Sequence, residues 1–396
     1  MVEIVVAGGY DAVTVRKLAK LAKVSPGTFY AQFGGKEECF VSTYTMIMRH
    51  ARGQVAASRL VRREGEEQLA HTLHGLVGGL TADPETAQFA LVEAFGGGPA
   101  ALVHIRAQEA ELELAVGNSL ERRERSPVPA AISSWIAAGS LGVARTWIAA
   151  GEEAGPHYPL ADVAEWGRTF LDQALPDLAG SDDAPPVHPA AGISSLGRQG
   201  SEDDPHGAEQ SLLTAATIRL AKTDGYWRLS VARIRATAGL SRQAFSHHFR
   251  DVTHCYLAAV MVLSDRYFGR LGSAGHLADW PARICREISG LCEAIAADPP
   301  LAKLVFLEVL APGVTGMRCR EELVARSAQV WRAGAPAADR PSPAVAEATI
   351  AALWSAIASH LDRGAADRLP REAATFSFFL LAPLIGAPAA IDAIDR

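Results

Sequence analysis

Residues 14–33, TVRKLAKLAKVSPGTFYAQF, read as two short helices joined by a tight turn. Val15, Leu18 and Leu21 or Ala22 recur at helical spacing, which predicts one apolar face on the first helix. Thr14 stands just before that run, where its side-chain oxygen can take an orphan amide hydrogen as an N-cap. Lys23 and Val24 make the turn. Ser25 is a second cap, and Pro26 occupies the first helical position, where its missing N–H costs nothing. Phe29 and Phe33, four apart, share one face of the second helix. Gly27, Thr28, Tyr30, Ala31 and Gln32 are left at or near the outer side. A helix with a small, hydrogen-bonding outer face, beside a lysine-rich helix, suits a DNA groove. Gly34 and Gly35 stop it, and Lys36, Glu37 and Glu38 open the next helix.

The stretch occurs twice. A shift of 216 residues, with no gap, sets Gly9 and Tyr10 on Gly225 and Tyr226, Val15 on Val231, Ala22 on Ala238 and Ser25 on Ser241. It also sets Phe29 on Phe245, Phe33 on Phe249 and Cys39 on Cys255. Thr14 meets Ser230, which keeps the cap, and Leu18 meets Ile234, which keeps the core. The outward residues change: Pro26, Gly27, Thr28 and Tyr30 become Arg242, Gln243, Ala244 and Ser246. Similarity at so long a period marks a duplication. It continues more weakly downstream, where Asp83 and Pro84 parallel Asp298 and Pro299, and LVEAF (91–95) parallels FLEVL (306–310).

GYDAVTVRKLAKLAKVSPGTFYAQFGGKEECF (9–40) and, less closely, GYWRLSVARIRATAGLSRQAFSHHFRDVTHCY (225–256) resemble the TetR family of transcriptional regulators. The second stretch lacks the tyrosine, where Ser246 stands, and the lysine, where Val252 stands. The resemblance implies an all-α fold of two tandem units. Each would pair a three-helix helix-turn-helix domain with a larger helical ligand-binding and dimerisation domain. It also implies a double-stranded DNA operator, a small-molecule effector and repression, without a cofactor. Such proteins usually pair two chains. Two copies in one chain make intramolecular pairing of the halves an alternative to a homodimer.

The net charge of −6 is unevenly spread. Residues 1–58 carry seven Lys/Arg against four Asp/Glu, and residues 209–272 carry nine against four, leaving −14 elsewhere. Cations gathered at the two helical motifs suit phosphate partners, although solvated helix faces give a similar excess. Five cysteines without a C-x-x-C pair or a Cys/His cluster argue against a disulfide framework or metal site and for a reducing cytoplasm. No run of 18 apolar residues predicts a membrane span. The first ten residues lack the basic leader and cleavage site of a signal peptide.

The domains expected are a first helix-turn-helix domain at 1–58, a first ligand domain at 59–175, and a linker at 176–208. A second, divergent helix-turn-helix domain follows at 209–272 and a second ligand domain at 273–396. The opening helix of the first copy is about half as long as its counterpart, and we expect a start site placed inside the true gene. The linker holds five prolines and five glycines. Its 33 residues, stretched, reach roughly 100 Å, well past the ~34 Å between half-sites one DNA turn apart. Pairing within one chain is therefore allowed, not forced.

At the first motif, Thr14, Ser25 and helix-start amides would hold phosphates. Pro26 completes that helix start, and Gly27 and Thr28 would approach base edges. Tyr30 and Lys36 are phosphate contacts implied by the resemblance. In the second motif Ser230 and Ser241 are the caps. Arg242 and Gln243 carry the donors and acceptors for guanine and adenine edges, with Ser246 outward. His247, with His248 and Arg250, faces phosphates or plain solvent. Unlike outer faces predict unlike half-sites. Phe89, Phe95, His104, Trp135 and Trp147, and Phe306, Trp331, Trp354 and His360, are candidate pocket residues, although aromatics at helical spacing also build cores. His71 and His74 share a helix face but have no acid or cysteine at a ligand spacing. No nucleophile elbow or phosphate loop is present, so an enzyme is not expected. The remaining alternative is a helical ligand-sensing or partner-binding protein in which only the first helix-turn-helix still binds DNA.

Overall fold

A computed structural model describes residues 1–58, 71–72, 74–75, 83–120, 130–150, 163–164, 166–167, 205–268, 280–337 and 340–396. Residues 59–70, 121–129 and 151–162 of the first ligand domain, and residues 176–204 of the linker, lie outside the described residues. Among the described residues there are helices and turns and no strand.

The first copy contributes α1 (Val2–Gly8), α2 (Val15–Leu21), α3 (Pro26–Gln32), α4 (Lys36–Ser58), α5 (Pro84–Leu91), α6 (Pro99–Leu120) and α7 (Ala130–Ala150). The second contributes α8 (Pro205–Asp224), α9 (Val231–Ala238), α10 (Arg242–His248), α11 (Val252–Phe268), α12 (Trp280–Ala297) and α13 (Pro299–Phe306). It continues with α14 (Val314–Gly334), α15 (Pro343–Asp362), α16 (Leu369–Ile385) and α17 (Ala387–Ile394). Helix α8 begins at Pro205, so the last four residues of the stretch read as linker are helical. Asp83 and Asp298 each cap a helix that opens with proline, through Thr86 N (3.3 Å) and Leu301 N (3.2 Å). The downstream similarity thus marks one repeated helix start.

Two compact units emerge, and their division does not follow the repeat. One comprises 1–174, 310–356 and 382–387, and the other 175–309, 357–381 and 388–396. Helix α14 and most of α15 therefore belong with the first copy.

In the first unit, Tyr10 meets Phe40 edge-on at 4.9 Å, and Phe40 meets Phe89 at 5.2 Å. Gly97 lies against this stack. A Cβ there would sit 2.5 Å from Phe40 Cε1, so only glycine fits. Helices α4 and α6 are tied by Arg52, which donates to Gln108 (2.8 Å) and pairs with Glu111 (3.0 Å). Helix α7 crosses α15 so closely that a Cβ on Gly142 would stand 2.3 Å from Ala351 Cβ. One on Gly139 would stand 2.7 Å from the Ala348 carbonyl oxygen. Beside this crossing Arg145 pairs with Glu109, Arg320 pairs with Glu321, and Thr146 donates to Glu321 at 3.1 Å. Arg145, Arg320 and Glu321 are all buried.

In the second unit Leu213 and Ala216 of α8, Ile234, Phe245, Phe249 and Cys255 form one core. The first copy's Phe33 is half-buried where Phe249 is buried. Lys222 pairs with Asp298 at 2.6 Å, and Glu308 accepts from Tyr226 N at 3.1 Å, tying this three-helix domain to α13 and the turn after it. Helix α15 is long and apolar enough to cross a membrane, but 56% of its apolar window is buried inside the protein.

Candidate nucleic-acid interface

Each half of the motif is fixed by its own caps. Thr14 Oγ1 accepts from Lys17 N at 3.2 Å, and Ser25 Oγ accepts from Thr28 N at 3.0 Å. Ser230 and Ser241 do the same for Arg233 N (3.3 Å) and Ala244 N (3.0 Å). These caps were expected, and each serves about 1 kcal/mol of helix stability. Phe29 and Phe33 lie 5.4 Å apart, and Phe245 and Phe249 lie 5.9 Å apart, on the inner faces of α3 and α10. Burying such rings anchors each short helix by roughly 1.5–3 kcal/mol apiece.

The apolar face expected for α2 is corrected at one end. Leu18 and Ala19 are buried, but Leu21 is 52% exposed and Ala22 is exposed as well. The helix is only seven residues long and ends on that turn, so Leu21 falls beside a shallow groove instead of the core. Glu3, Ile4, Ala7, Gly8, Ala12 and Lys17 line the rest of the groove.

The turn between the two helices is the same in both copies. Val24 N donates to Ala19 O (3.0 Å), and Leu240 N to Arg235 O (2.9 Å), around a residue in the left-handed region. That residue is Gly239 (φ 70°) in the second copy and Lys23 (φ 55°) in the first.

The outward positions are open to solvent. Pro26, Gly27, Thr28 and Tyr30 are exposed on α3, Tyr30 by 58%. Arg242, Gln243, Ser246 and His247 are exposed on α10. Ser246 Oγ donates back to the Arg242 carbonyl at 3.0 Å, so its hydroxyl proton is already used. His248 is turned inward and meets Glu209 at 3.1 Å. Lys36 does not stand free: its ammonium lies 4.3 Å from the centre of the Tyr10 ring.

Two anchoring cations were not foreseen. Lys17 Nζ donates to the Ala12 carbonyl at 2.8 Å, and Arg233, its counterpart, donates to the Arg228 carbonyl at 2.8 Å. Both clamp the 3-10 turn ahead of the motif, and Arg233 also pairs with Asp224. The signal was present as a cation conserved in kind at 17 and 233 across the repeat. Arg16, Lys20 and Lys23 remain exposed around α2.

Residues 2–43 and 213–259 each match the family described as bacterial regulatory proteins, tetR family. One stretch in each copy is thus similar to bacterial regulatory proteins of the tetR family. No curated protein matches it. The tetR matches cover α1 to the first third of α4 and most of α8 to the middle of α11, the same elements that hold the capped helices and the turn.

Of the candidate pocket residues, Phe89, Phe95, Trp135, Trp331 and Trp354 are buried in the first unit and Phe306 in the second. Phe95 lies 5.4 Å beneath Arg145, and Trp354 lies 5.8 Å beneath Arg320. Phe306 packs on Tyr267 and Phe268, and His360 meets Phe376 edge-on. His104 is half-buried and bonds Thr45 at 2.7 Å, and Trp147 is half-buried. His71 is half-buried and His74 exposed, and no cluster of metal-ligating groups occurs among the described residues. The cysteines are free thiols. Burial pushes Cys255 and Cys319 up to about 11 and Cys292 to about 12, which leaves them thiols rather than reactive thiolates.

Proposed function

We propose that the protein is a ligand-responsive, sequence-specific transcriptional repressor of the cytoplasm, working as a single-chain pseudo-dimer. Helices α3 and α10 each enter the major groove of one operator. Thr14, Ser25, Tyr30 and Lys36 hold phosphates on one side, and Ser230, Ser241 and His247 on the other. Gly27 and Thr28 lie against bases in the first half-site, with the Thr28 methyl open to a thymine methyl. Arg242 and Gln243 read the second. One observation carries this: the two motifs share caps, turn and packed phenylalanines, while the exposed Pro26, Gly27, Tyr30 and Ala31 of α3 are replaced by the exposed Arg242, Gln243, Ser246 and His247 on α10. Packing between α7 and the second copy's α14 and α15 supports the pseudo-dimer. The linker, at 176–208 by sequence, is long enough to allow it. An effector held in either helical domain acts by favouring a spacing of the reading helices that no longer fits the grooves.

A second reading keeps DNA contact in α3 alone, because Ser246 and Val252 replace Tyr30 and Lys36. Selection of bound duplexes from a random pool, followed by footprinting, separates the two. An operator with two unlike half-sites, one of which loses its base preference in Arg242→Ala, is expected. Two identical half-sites would refute the unlike faces, and a single protected half-site unaffected by Arg242→Ala would establish the second reading. Binding that does not fall with salt would remove the DNA assignment altogether.

A further inference from the structure

We propose that His254 is a positioning residue for the second reading helix: it closes the loop behind α10 only while its imidazole is neutral. The second motif's hold on DNA, unlike the first's, therefore weakens in mild acid. This rests on the reading above that α10 contacts DNA.

The loop behind each reading helix is closed in the same way. After α3, the Gly34 amide donates to Glu38 Oε2 at 2.6 Å. After α10, the Arg250 amide donates to His254 Nδ1 at 3.4 Å. The 216-residue shift sets Gly34 on Arg250 and Glu38 on His254, so both bonds join the same two positions. Each runs from the loop to the first turn of the long helix that follows, α4 or α11. The His254 ring also meets Phe249 edge-on at 5.5 Å, and Phe249 is the buried ring at the end of α10. The clasp thus ties the end of the reading helix to the start of α11. Only the acceptor differs between the copies: a carboxylate in the first and an imidazole in the second.

That exchange changes what acid does. A backbone N–H can only donate, so Nδ1 must offer its lone pair and the ring proton must stand on Nε2. A further proton can go only to Nδ1, where it removes the acceptor and sets one N–H against another. Imidazoles ordinarily change charge near about pH 6.5 and glutamate carboxylates near about 4.3. Between about pH 7.5 and 5.5 the clasp behind α10 therefore opens on acidification, while the clasp behind α3 stays shut. The charged and titratable groups around the second clasp are Arg250 and Asp251 in the loop, His247 and His248 at the end of α10, and Glu209 of α8, which meets His248 at 3.1 Å. Tyr226 is the other, its phenol meeting Thr253 at 2.8 Å. Asp251 Oδ1 accepts from the His254 backbone amide at 2.7 Å, a bond that protonation of the ring leaves in place. Charging His247 and His248 would instead strengthen contacts to phosphate and to Glu209, the opposite sign. The test must therefore isolate His254 from both.

The test uses the full-length protein and two measurements. The first is hydrogen exchange in the unchanged protein, corrected for the intrinsic pH dependence of exchange. Protection at the Arg250 amide should fall about two- to tenfold between about pH 7.5 and 5.5, as expected for one lost hydrogen bond. Protection at the Gly34 amide should not change. The second is DNA affinity at the same two pH values and constant ionic strength, with a duplex selected from a random pool by the unchanged protein at the higher pH. His254→Glu and His254→Gln each give the Arg250 amide an acceptor that stays unprotonated in this range. The ratio of dissociation constants, low pH over high, should be about two- to tenfold smaller in both than in the unchanged protein. Glu38→His should make that ratio larger by a similar factor. His247 and His248 are present throughout, so their effect cancels in the comparison. A merely structural role for His254 would shift affinity at both pH values and leave the ratio alone. Equal ratios in all four proteins overturn the inference, and so does Arg250 protection that is flat across the range. Binding that does not fall with salt overturns instead the DNA reading, and the inference with it, whatever the Arg250 amide does, so the two failures are distinct. The exchange measurement needs no variant to fold.

Discussion

Lys23→Gly should make the first helix-turn-helix domain more stable, although it deletes a side chain. Lys23 sits at φ 55°, a conformation that costs a residue with a Cβ about 1–2 kcal/mol. Its side chain is exposed, so little packing is lost. Glycine removes the backbone cost but gains about 0.4–1 kcal/mol of freedom in the unfolded chain. The net expectation is a gain of roughly 0.5–1 kcal/mol. The second copy already has the relaxed solution, since Gly239 stands at φ 70° in the same turn. Gly239→Ala should accordingly lose about 1–2 kcal/mol. A chain of several domains does not unfold in one step, so the reading must be local. Native-state hydrogen exchange at the Val24 and Leu240 amides supplies it, because those amides close the two turns onto Ala19 O and Arg235 O. Protection at Val24 should rise about two- to fivefold in Lys23→Gly, and protection at Leu240 should fall about five- to thirtyfold in Gly239→Ala. Unchanged or lower protection at Val24, with Leu240 indifferent to Gly239→Ala, would refute the claim that the turn is strained by a side chain.

Three further outcomes follow from the same structure. Ser25→Ala and Ser241→Ala should each cost about 1 kcal/mol of local stability, seen as faster exchange at the Thr28 and Ala244 amides respectively, with the opposite copy unaffected. Thr28→Ala together with Tyr30→Phe should weaken DNA binding about tenfold or more in a gel-shift titration while leaving far-ultraviolet circular dichroism unchanged, since both residues point into solvent. Burial, with Glu321 nearby, raises the pKa of Glu347 above its ordinary value. Its ionisation therefore disfavours the folded state: the penalty is absent below the unfolded pKa near 4.5 and fully present above the raised folded value. Glu347→Gln should raise the melting temperature at pH 7–8, and the advantage should vanish as the pH falls below about 4.5.

What the sequence made legible was local. Thr14, Ser25, Ser230 and Ser241 cap the helices they precede, because a cap needs only a partner three residues away. Asp83 and Asp298 were visible as a repeated pair for the same reason. Leu21 was misread because its spacing suited a core face while the short helix and its turn place it at the surface. That the Lys36 ammonium lies over the Tyr10 ring could not be read from spacing, because the contact joins elements 26 residues apart in sequence. The hydrogen bond from Thr146 to Glu321 spans 175 positions and leaves no periodic trace. Nothing short of the folded arrangement shows that the second copy's α14 packs with the first copy's helices. Candidate pocket aromatics share that difficulty, since a ring in a core and a ring lining a hollow obey the same helical spacing.

The exposed faces of α3 and α10 belong to one gene but not to one another. In an ordinary symmetrical pair, any change to a reading helix is imposed on both arms of the binding site at once, and its harm is doubled. In the proposed pseudo-dimer a codon change at Arg242 or Thr28 would alter a single arm. Under that proposal the target sequence would be retuned stepwise, one flank at a time, while the unaltered helix kept the protein at its address.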